Sequence, residues 1–217
     1  LAANQSYAPA MEWFHEAAEG GQVRAQHYLG SFYSRKEQTT TVALEWYRRA
    51  ADRAHPQAQL ALGNAYSGGG MGLGRDDKEA ARWYKLAADQ GIPHAQFNLG
   101  TMYVTGSGVA QSYEMAVQWF MKAAGQGLAE AQLNLGSMYE IGHGVGRSDE
   151  MAFHWYRKAA GQGNSNSNSS NSSSKPGILA ADRAVVSLVG GANAVDNGGI
   201  EEEDGGVVKL LSTHVSV

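Results

Sequence analysis

The sequence predicts an all-α solenoid, a stack of similar helix pairs, followed by a C-terminal tail. Two observations support this fold class. Five tryptophans recur at intervals of 33, 37, 36 and 36 residues, and each opens a related phrase such as WYKLAADQG or WFMKAAGQG. A second phrase, A-Q-x-x-L-G-x-x-Y, begins twelve residues after each of the first four tryptophans. Self-similarity at a period of about 20–50 residues is the signature of a repeat architecture, so these phrases decide the fold class.

The Ala-Gln phrase predicts the first helix of each pair. Ala95, Leu99 and Tyr103 recur every four residues, as one face of a helix does. Each copy also holds a glycine, which costs about 1 kcal/mol relative to alanine inside a helix. Four repetitions of that cost indicate a close approach of two backbones, and we expect the tryptophan ring to lie across this small-residue shelf. The glycines of this shelf are Gly30, Gly63, Gly100 and Gly136.

The tryptophan phrase predicts the second helix of each pair, with a broad apolar stripe. A glycine eight residues after the tryptophan is expected to end most of these helices in the left-handed conformation. Ala54 replaces that glycine once, so we expect that helix to end differently, helped by Pro56. The helix-ending glycines are Gly21, Gly91, Gly127 and Gly163. The tryptophans expected to be buried core spacers are Trp13, Trp46, Trp83, Trp119 and Trp155.

A glycine-rich segment, GHGVGRS at 142–148, raises the question of a phosphate cradle, because close-spaced glycines let backbone N–H groups converge on an anion. The segment recurs at 106–112 and 70–76, and its arginine is absent from one copy. A phosphate loop has no reason to recur in every repeat. We therefore predict a turn that needs glycine, closed by an apolar side chain. The apolar side chains in question are Val145, Val109 and Leu73.

The phrases divide the chain into a repeat region and a tail. The tail begins with an Asn/Ser-rich linker and continues as a low-complexity segment with an acidic EEED run, which by composition we expect to be mostly disordered. No polar terminal cap is recognisable after the last repeat. Because residue 1 is Leu, we expect a fragment or a processed product. The predicted boundaries are a partial repeat 8–24, full repeats at about 25–57, 58–94, 95–130 and 131–163, the linker 164–174 and the tail 175–217.

The composition excludes several kinds of chemistry. The chain has no cysteine, which excludes disulfides, thiol catalysis and cysteine-based metal sites. The net charge of −4 gives no reason to expect nucleic acid as the partner. The seven histidines show no metal-ligand spacing, and no nucleophile motif occurs. No run of about 18 apolar residues predicts a membrane span. We therefore predict no catalytic, metal-binding or cofactor-binding residues.

The combined pattern resembles the Sel-1-like repeat, a relative of the tetratricopeptide repeat. It reads A-x-x-x-L-G-x-x-Y-x-x-G-x-G-V, then A-x-x-W-Y-x-K-A-A-x-x-G, and it spans about residues 8–163. The resemblance implies a right-handed α-solenoid with a concave groove that binds other proteins. Members of this family include adaptors in endoplasmic-reticulum-associated degradation, chitin synthase activators and bacterial host-interaction factors. Some cysteine-rich bacterial relatives bind or slowly hydrolyse β-lactams, but each of their repeats has a disulfide that this chain cannot form.

By analogy with tetratricopeptide arrays, first-helix side chains off the Ala–Leu–Tyr stripe line the groove. Asn98 and Asn134 occupy equivalent positions and are either contacts for an extended peptide backbone or solvated polar residues. We expect the glutamine of each Ala-Gln pair to have a packing or capping role. The best candidates for groove contacts are Asn64, Asn98, Thr101, Asn134 and Ser137. The further candidates are Gln26, His27, Ser31, Gln59, Gln96 and Gln132.

These observations predict a non-enzymatic scaffold or adaptor that binds a protein or peptide in the groove, with no cofactor. The resemblance makes an adaptor of endoplasmic-reticulum-associated degradation one specific hypothesis. Two alternatives stay open: a β-lactam-binding protein or weak hydrolase, and a regulatory repeat segment of a larger enzyme. The compartment is either the cytoplasm or, with an upstream signal, the endoplasmic reticulum lumen. The sequence does not predict an oligomeric state.

Overall fold

A computed structural model describes residues 8–35 and 37–163, and within them all regular structure is helical. The all-α prediction is therefore confirmed for this part of the chain. The predictions for the linker 164–174 and the tail 175–217 lie outside the described residues. A short 3-10 turn, Glu37–Thr39, precedes the third helix. The helices are α1 Ala8–Glu19, α2 Val23–Tyr33, α3 Thr40–Asp52, α4 Pro56–Gly68, α5 Asp77–Asp89, α6 Pro93–Thr105, α7 Tyr113–Gly125, α8 Ala129–Ile141 and α9 Asp149–Gly163.

The helices stack in chain order, and each packs against the one before and the one after it. We call α2, α4, α6 and α8 the first helices, and α1, α3, α5, α7 and α9 the second helices. Contacts also run between first helices of successive pairs, α2 with α4 and α4 with α6. No two second helices are in comparable contact within the described residues. The first helices are therefore the inner layer of a curved α-solenoid, as predicted.

Polar caps and left-handed glycines set the helix ends. The Asp76 carboxylate accepts hydrogen bonds from the backbone N–H groups of Lys78 and Glu79, which caps the start of α5. Ser112 caps α7 in the same way through the N–H of Met115. At the other end, each of α4, α6 and α8 stops at a glycine with positive φ, which an L-residue adopts only with strain. These glycines are Gly69, Gly106 and Gly142.

The glycine inside each first helix accommodates an aromatic ring from the second helix of the same repeat. A β-carbon built on Gly30 would lie 2.7 Å from the Tyr47 ring, and one on Gly100 would lie 2.7 Å from the Phe120 ring. Gly63 faces Tyr84 and Gly136 faces Tyr156 in the same manner. The predicted close approach is correct, but the predicted partner is wrong, because the ring belongs to the residue after the tryptophan. The glycine is thus a notch into which the neighbouring ring fits.

The tryptophans instead join successive repeats. Trp119 packs among Ala87 of α5 and Leu99 of α6, between its own first helix and the preceding second helix. Its ring also has the Lys122 ammonium 3.9 Å from the centroid, a cation–π contact. Trp46 and Trp83 are buried in equivalent places, and Trp155 is half-buried. The core assignment is wrong for Trp13, which is 73% exposed because no helix pair precedes α1 in the described structure.

One expected helix end differs from the structure. Ala54 takes φ 61°, the left-handed conformation that Gly91 takes after α5 with φ 88°. The N–H of His55 then donates to the Ala50 carbonyl at 3.0 Å, as the N–H after Gly91 donates to the Ala87 carbonyl at 3.2 Å. The expectation of a different end for α3 is therefore wrong, because placing α4 against α3 requires the same turn. Gly163 is the last described residue of α9, so its role in ending that helix stays a prediction.

We predict that Ala54→Gly raises the free energy of unfolding by about 1 kcal/mol, because alanine pays a steric cost of about that size in the left-handed region. Urea denaturation of both proteins measures the change. Ala160→Gly is the control, since Ala160 is an exposed alanine inside α9. The free energy of unfolding of this control is expected to fall by about 1 kcal/mol. A loss of stability in Ala54→Gly would contradict the prediction.

Candidate binding groove

The predicted groove residues all lie on the inner layer, but their exposure differs. Asn64 is exposed, and Asn98 and Thr101 are half-buried. Asn134 and Ser137 are buried, with Asn134 at 0% exposure. A ligand reaches the first three directly and would have to uncover the other two. The assignment of all five as ligand contacts stays a prediction.

The four glutamines of the Ala-Gln pairs are buried and have one shared structural role. In each, the side-chain Nε2 donates to the carbonyl of the alanine eight residues earlier, at 2.9–3.2 Å. The bond ties the start of a first helix to the end of the preceding second helix, where carbonyls lack helical partners. The predicted capping role is confirmed. The glutamines are Gln26, Gln59, Gln96 and Gln132, and their acceptors are Ala18, Ala51, Ala88 and Ala124.

A second amide extends this connection in the central repeats. Gln90 Nε2 donates to Gln59 Oε1 at 2.7 Å, and Gln126 Nε2 donates to Gln96 Oε1 at 2.9 Å. In the first repeat Arg53 holds the corresponding position and donates to the Gly21 carbonyl. The Gln26 Oε1 atom is left without a hydrogen-bond partner. Sequence reasoning missed this network, although the recurring glutamine seven residues after three of the tryptophans is visible in the sequence.

The aromatic ring that fills a glycine notch carries its hydroxyl group to the inner layer. Tyr84 Oη donates to Asn64 Oδ1 at 2.9 Å, and Asn98 Nδ2 donates to the same oxygen at 3.2 Å. Burial raises the pKa of Tyr84 to about 12, so its phenol is a neutral donor at physiological pH. Asn98 therefore links two successive first helices. Its carboxamide has both a donor and an acceptor at the edge of the inner surface.

The next repeat lacks this hydroxyl, because Phe120 stands where the preceding repeat has Tyr84. Asn134, which corresponds to Asn98, has no hydrogen-bond partner at either Nδ2 or Oδ1. An unpaired buried polar group costs about 1–3 kcal/mol. The last repeat has the hydroxyl again, and Tyr156 Oη donates to Glu140 Oε2 at 2.7 Å. Tyr84 and Tyr156 thus carry hydroxyl donors to the inner layer, and Phe120 between them does not.

His27, one of the further candidates, forms a stacked pair with His55 between α2 and the start of α4. The ring centroids are 4.4 Å apart, with 17° between the ring planes. Burial and the neighbouring His55 lower the pKa of His27. Burial and the charge of Arg24 lower the pKa of His55. Later repeats have Leu60, Phe97 or Leu133 at the His27 position, so sequence reasoning did not reveal this pair.

The Gly-x-Gly segments lie against the main chain of the preceding repeat. Gly142 and Gly144 have φ of 88° and 71°, as the turn prediction requires. A β-carbon on Gly144 would overlap the main chain of Tyr113 at the start of α7, and one on Gly108 would overlap that of Asp77. The second glycine therefore allows backbone contact between repeats. Nothing in this arrangement requires a phosphate.

The apolar residue of each Gly-x-Gly loop packs as predicted in two of the three copies. Val109 and Val145 lie partly buried against the hydrophobic clusters of their repeats. In the second loop Met71 occupies the equivalent place, with φ 56°, and Leu73 does not join the cluster. The prediction for Leu73 is wrong because this loop has one residue more than the other two.

Within residues 8–35 and 37–163, no three His, Asp or Glu side chains are grouped so that they could hold a metal ion. No helix in the same part of the chain is long and apolar enough to cross a membrane.

Comparison with protein families agrees with the repeat pattern. The family model described as Sel1 repeat matches residues 3–22, 23–55, 56–92, 93–128 and 129–164. The chain belongs to the Sel1 repeat family. The predicted resemblance is thereby confirmed. Proteins with Sel1 repeats are generally protein–protein interaction scaffolds, and the family is typically non-enzymatic. No curated protein sequence matches this chain significantly.

Solved structures show the same fold. The chain is 41% identical to c5321, a protective antigen present in uropathogenic Escherichia coli strains that displays an SLR fold, with a TM-score of 0.68 over 71% of this chain and 33% of that one. It is 34% identical to a Sel1 repeat protein from Oxalobacter formigenes, with a TM-score of 0.64 over 71% and 62% of the two chains. The aligned region spans less than two thirds of either relative's length.

We predict that Phe120→Tyr stabilises the protein by about 1 kcal/mol, because the new hydroxyl would lie near Asn134 as that of Tyr84 lies near Asn98. The free energy of unfolding in urea measures this change. Tyr84→Phe is the matched opposite, since it removes the same hydroxyl and leaves Asn64 without that donor. Its free energy of unfolding is expected to fall by about 1 kcal/mol. Equal stabilities of wild type and Phe120→Tyr would show that the hydroxyl does not reach Asn134.

We predict that acid destabilises the protein partly through the His27–His55 pair. Because folding lowers the pKa of both histidines, the unfolded chain binds protons more readily. The contribution to stability is complete above the unfolded pKa of about 6.5 and is lost as the pH falls toward the folded values. His27→Leu should therefore reduce the drop in melting temperature between about pH 7.5 and about pH 5.

The control for this prediction is His94→Gln, which changes an exposed histidine on α6. It should leave the drop in melting temperature as it is in the wild type. If His27→Leu and His94→Gln show the same drop as the wild type, the stacked pair does not contribute to the pH dependence.

Proposed function

We propose that this chain is a scaffold whose inner layer binds an extended peptide segment of a partner protein. The observation that supports this proposal most directly is the uncharged centre of the inner layer, which the Glu140 carboxylate borders at the last repeat. Two positions of each first helix lie at this centre: two residues before the notch glycine and one residue after it. Their eight occupants are Tyr28, Ser31, Ala61, Asn64, Asn98, Thr101, Asn134 and Ser137, and none carries a charge.

A surface of uncharged amide and hydroxyl groups is better suited to bind a peptide main chain than to bind a charged peptide. A peptide unit has one N–H donor and one C=O acceptor, and an Asn carboxamide complements both. Asn64 and Asn98 lie on successive first helices and are joined by their own hydrogen bond, so their positions are fixed relative to each other. This preorganisation lowers the entropic cost of binding. The proposed partner is therefore an extended segment recognised mainly through its backbone.

The proposal extends to the whole set of predicted contacts, Asn64, Asn98, Thr101, Asn134 and Ser137. The exposed and half-buried members are available at once. Asn134 contributes if the partner uncovers it, since its carboxamide then gains the hydrogen bonds that it lacks. An adaptor role in endoplasmic-reticulum-associated degradation stays a hypothesis from the family resemblance, and so does a role as the regulatory segment of a larger enzyme.

The test is selection of binding peptides from a random peptide library, followed by affinity measurement on the double variant Asn98→Ala, Asn134→Ala. The corresponding position in the second repeat is Ala61, so the fold accepts alanine there. We expect the dissociation constant to rise about tenfold or more, because loss of hydrogen bonds of about 1–1.5 kcal/mol corresponds to that factor. Asn98→Ala also removes the hydrogen bond to Asn64, and Asn134→Ala removes a buried carboxamide, so the melting temperature of the double variant is measured beside its affinity.

The control variant is Gln118→Ala, which removes an exposed amide from second helix α7. It should leave peptide affinity unchanged. Unaltered affinity in the double variant would contradict the assignment of these asparagines. Hydrolysis of nitrocefin by the purified chain, abolished by substitution of an inner-layer residue, would instead favour the β-lactam hydrolase alternative.

A further inference from the structure

The exposed face of α9 carries residues that the other repeats bury. In every second helix, two positions face the next first helix: two residues before the tryptophan and five residues after it. Ala81 and Ala88 of α5 pack against α6 in this way. Val117 and Ala124 of α7 pack against α8. All four of these side chains are buried.

At α9 the same two positions are occupied by Phe153 and Ala160, and both are exposed. Phe153 is 55% exposed, and Met151 and Ile141 beside this end of the solenoid are exposed as well. Leaving a phenylalanine half uncovered forgoes much of the roughly 1.5–3 kcal/mol that its full burial contributes. We call Phe153 and Ala160 the terminal face. Its composition fits a surface that another apolar segment covers.

The chain itself continues from this end. Residues 164–217 follow α9 directly, and the segment 178–189 is separated from α9 by the Asn/Ser linker 164–174 and by Lys175, Pro176 and Gly177. These fourteen residues span about 50 Å when fully extended and about 20 Å on average as a flexible chain. Phe153 lies ten residues before Gly163, which is about 15 Å along a helix. The linker therefore allows the following segment to return to the terminal face.

The segment that follows the linker is apolar and shares one spacing with the first helices. Residues 178–189 read ILAADRAVVSLV, with Asp182 and Arg183 as the only charges. Ala184 and Leu188 have the four-residue spacing that Ala95 and Leu99 have in α6, although Val185 and Val189 stand where the first helices have their glutamine and their notch glycine. Ile178, Val185 and Val189 fall on one side of a helical period. A second apolar stretch, GVVKLLSTHVSV at 206–217, follows the acidic EEED run and lies farther along the chain from α9.

We propose that residues 178–189 of the same chain bind to the terminal face of α9 and cap the solenoid. The proposal does not depend on the peptide-binding function of the inner layer. It explains why the apolar character of the second helices continues through α9, because an open end of a repeat array needs a cover. A second copy of the chain is the competing occupant, and the experiment distinguishes the two.

The absence of cysteine makes a direct test possible. The full chain carrying Phe153→Cys and Leu188→Cys is oxidised mildly at low micromolar concentration, and its disulfides are identified by non-reducing electrophoresis and mass spectrometry. We expect an intramolecular disulfide in most molecules, since a docked segment brings the two sulfur atoms into bonding range. The matched control is Met121→Cys with Leu188→Cys, because Met121 is an exposed apolar residue of α7 at another place. It should cross-link far less.

A covalent dimer would overturn the proposal in favour of a second copy. In that dimer, position 153 of one molecule is linked to position 188 of another. Absence of a preferred disulfide would overturn it outright.

A thermal measurement checks the same point without cysteines. Leu188→Asp in the full chain should lower the melting temperature by about 2–4 °C. Val207→Asp, a change outside the segment, should leave it unchanged. Equal melting temperatures for these two variants would also count against the proposal.

Discussion

The contact between a helix-interior glycine and an aromatic ring is the constraint on which the other packing of this protein depends. Gly63 lets the Tyr84 ring cross α4 at a distance that any β-carbon would forbid. Close packing of this kind fixes how the two helices of a pair lie against each other. Once the pair is fixed, the tryptophan one residue earlier points to the preceding repeat, as Trp119 does toward α5. The notch glycine thereby determines both how the two helices of a repeat pack and how successive repeats stack.

The same contact places chemistry on the inner layer. Because the ring passes over the glycine, its hydroxyl emerges beside Asn64 and Asn98. Substitutions at equivalent positions then give the repeats different inner surfaces without altering the fold. Phe120 removes one hydroxyl and leaves Asn134 unpaired, and His27 replaces an apolar residue with a member of a stacked histidine pair. A repeat scaffold separates stability, which the invariant positions supply, from recognition, which the variable positions supply.

Much of the fold was predictable because the repeats supply several registered copies of one pattern. Spacing alone located the helices, the left-handed glycine turns and the capping glutamines. The errors share one cause, which is that spacing does not say which neighbour a side chain meets. The residue after the tryptophan, and not the tryptophan itself, lies on the glycine. Ala54 adopts a glycine conformation because the helix that follows requires it, and Trp13 is exposed because its neighbours are missing from the described residues. The prediction of groove contacts from position likewise did not reveal that Asn134 and Ser137 are buried.

The sequence by itself determined the fold class, the repeat family and the absence of disulfide or thiol chemistry. These follow from local periodicity and composition, which need no knowledge of three-dimensional neighbours. Only the tertiary structure decided which ring fills which notch, which amides pair between repeats and which polar groups are left without a partner. Those outcomes depend on distances between residues about 20 to 35 positions apart in sequence, where a difference of one hydroxyl group or one β-carbon changes the contact.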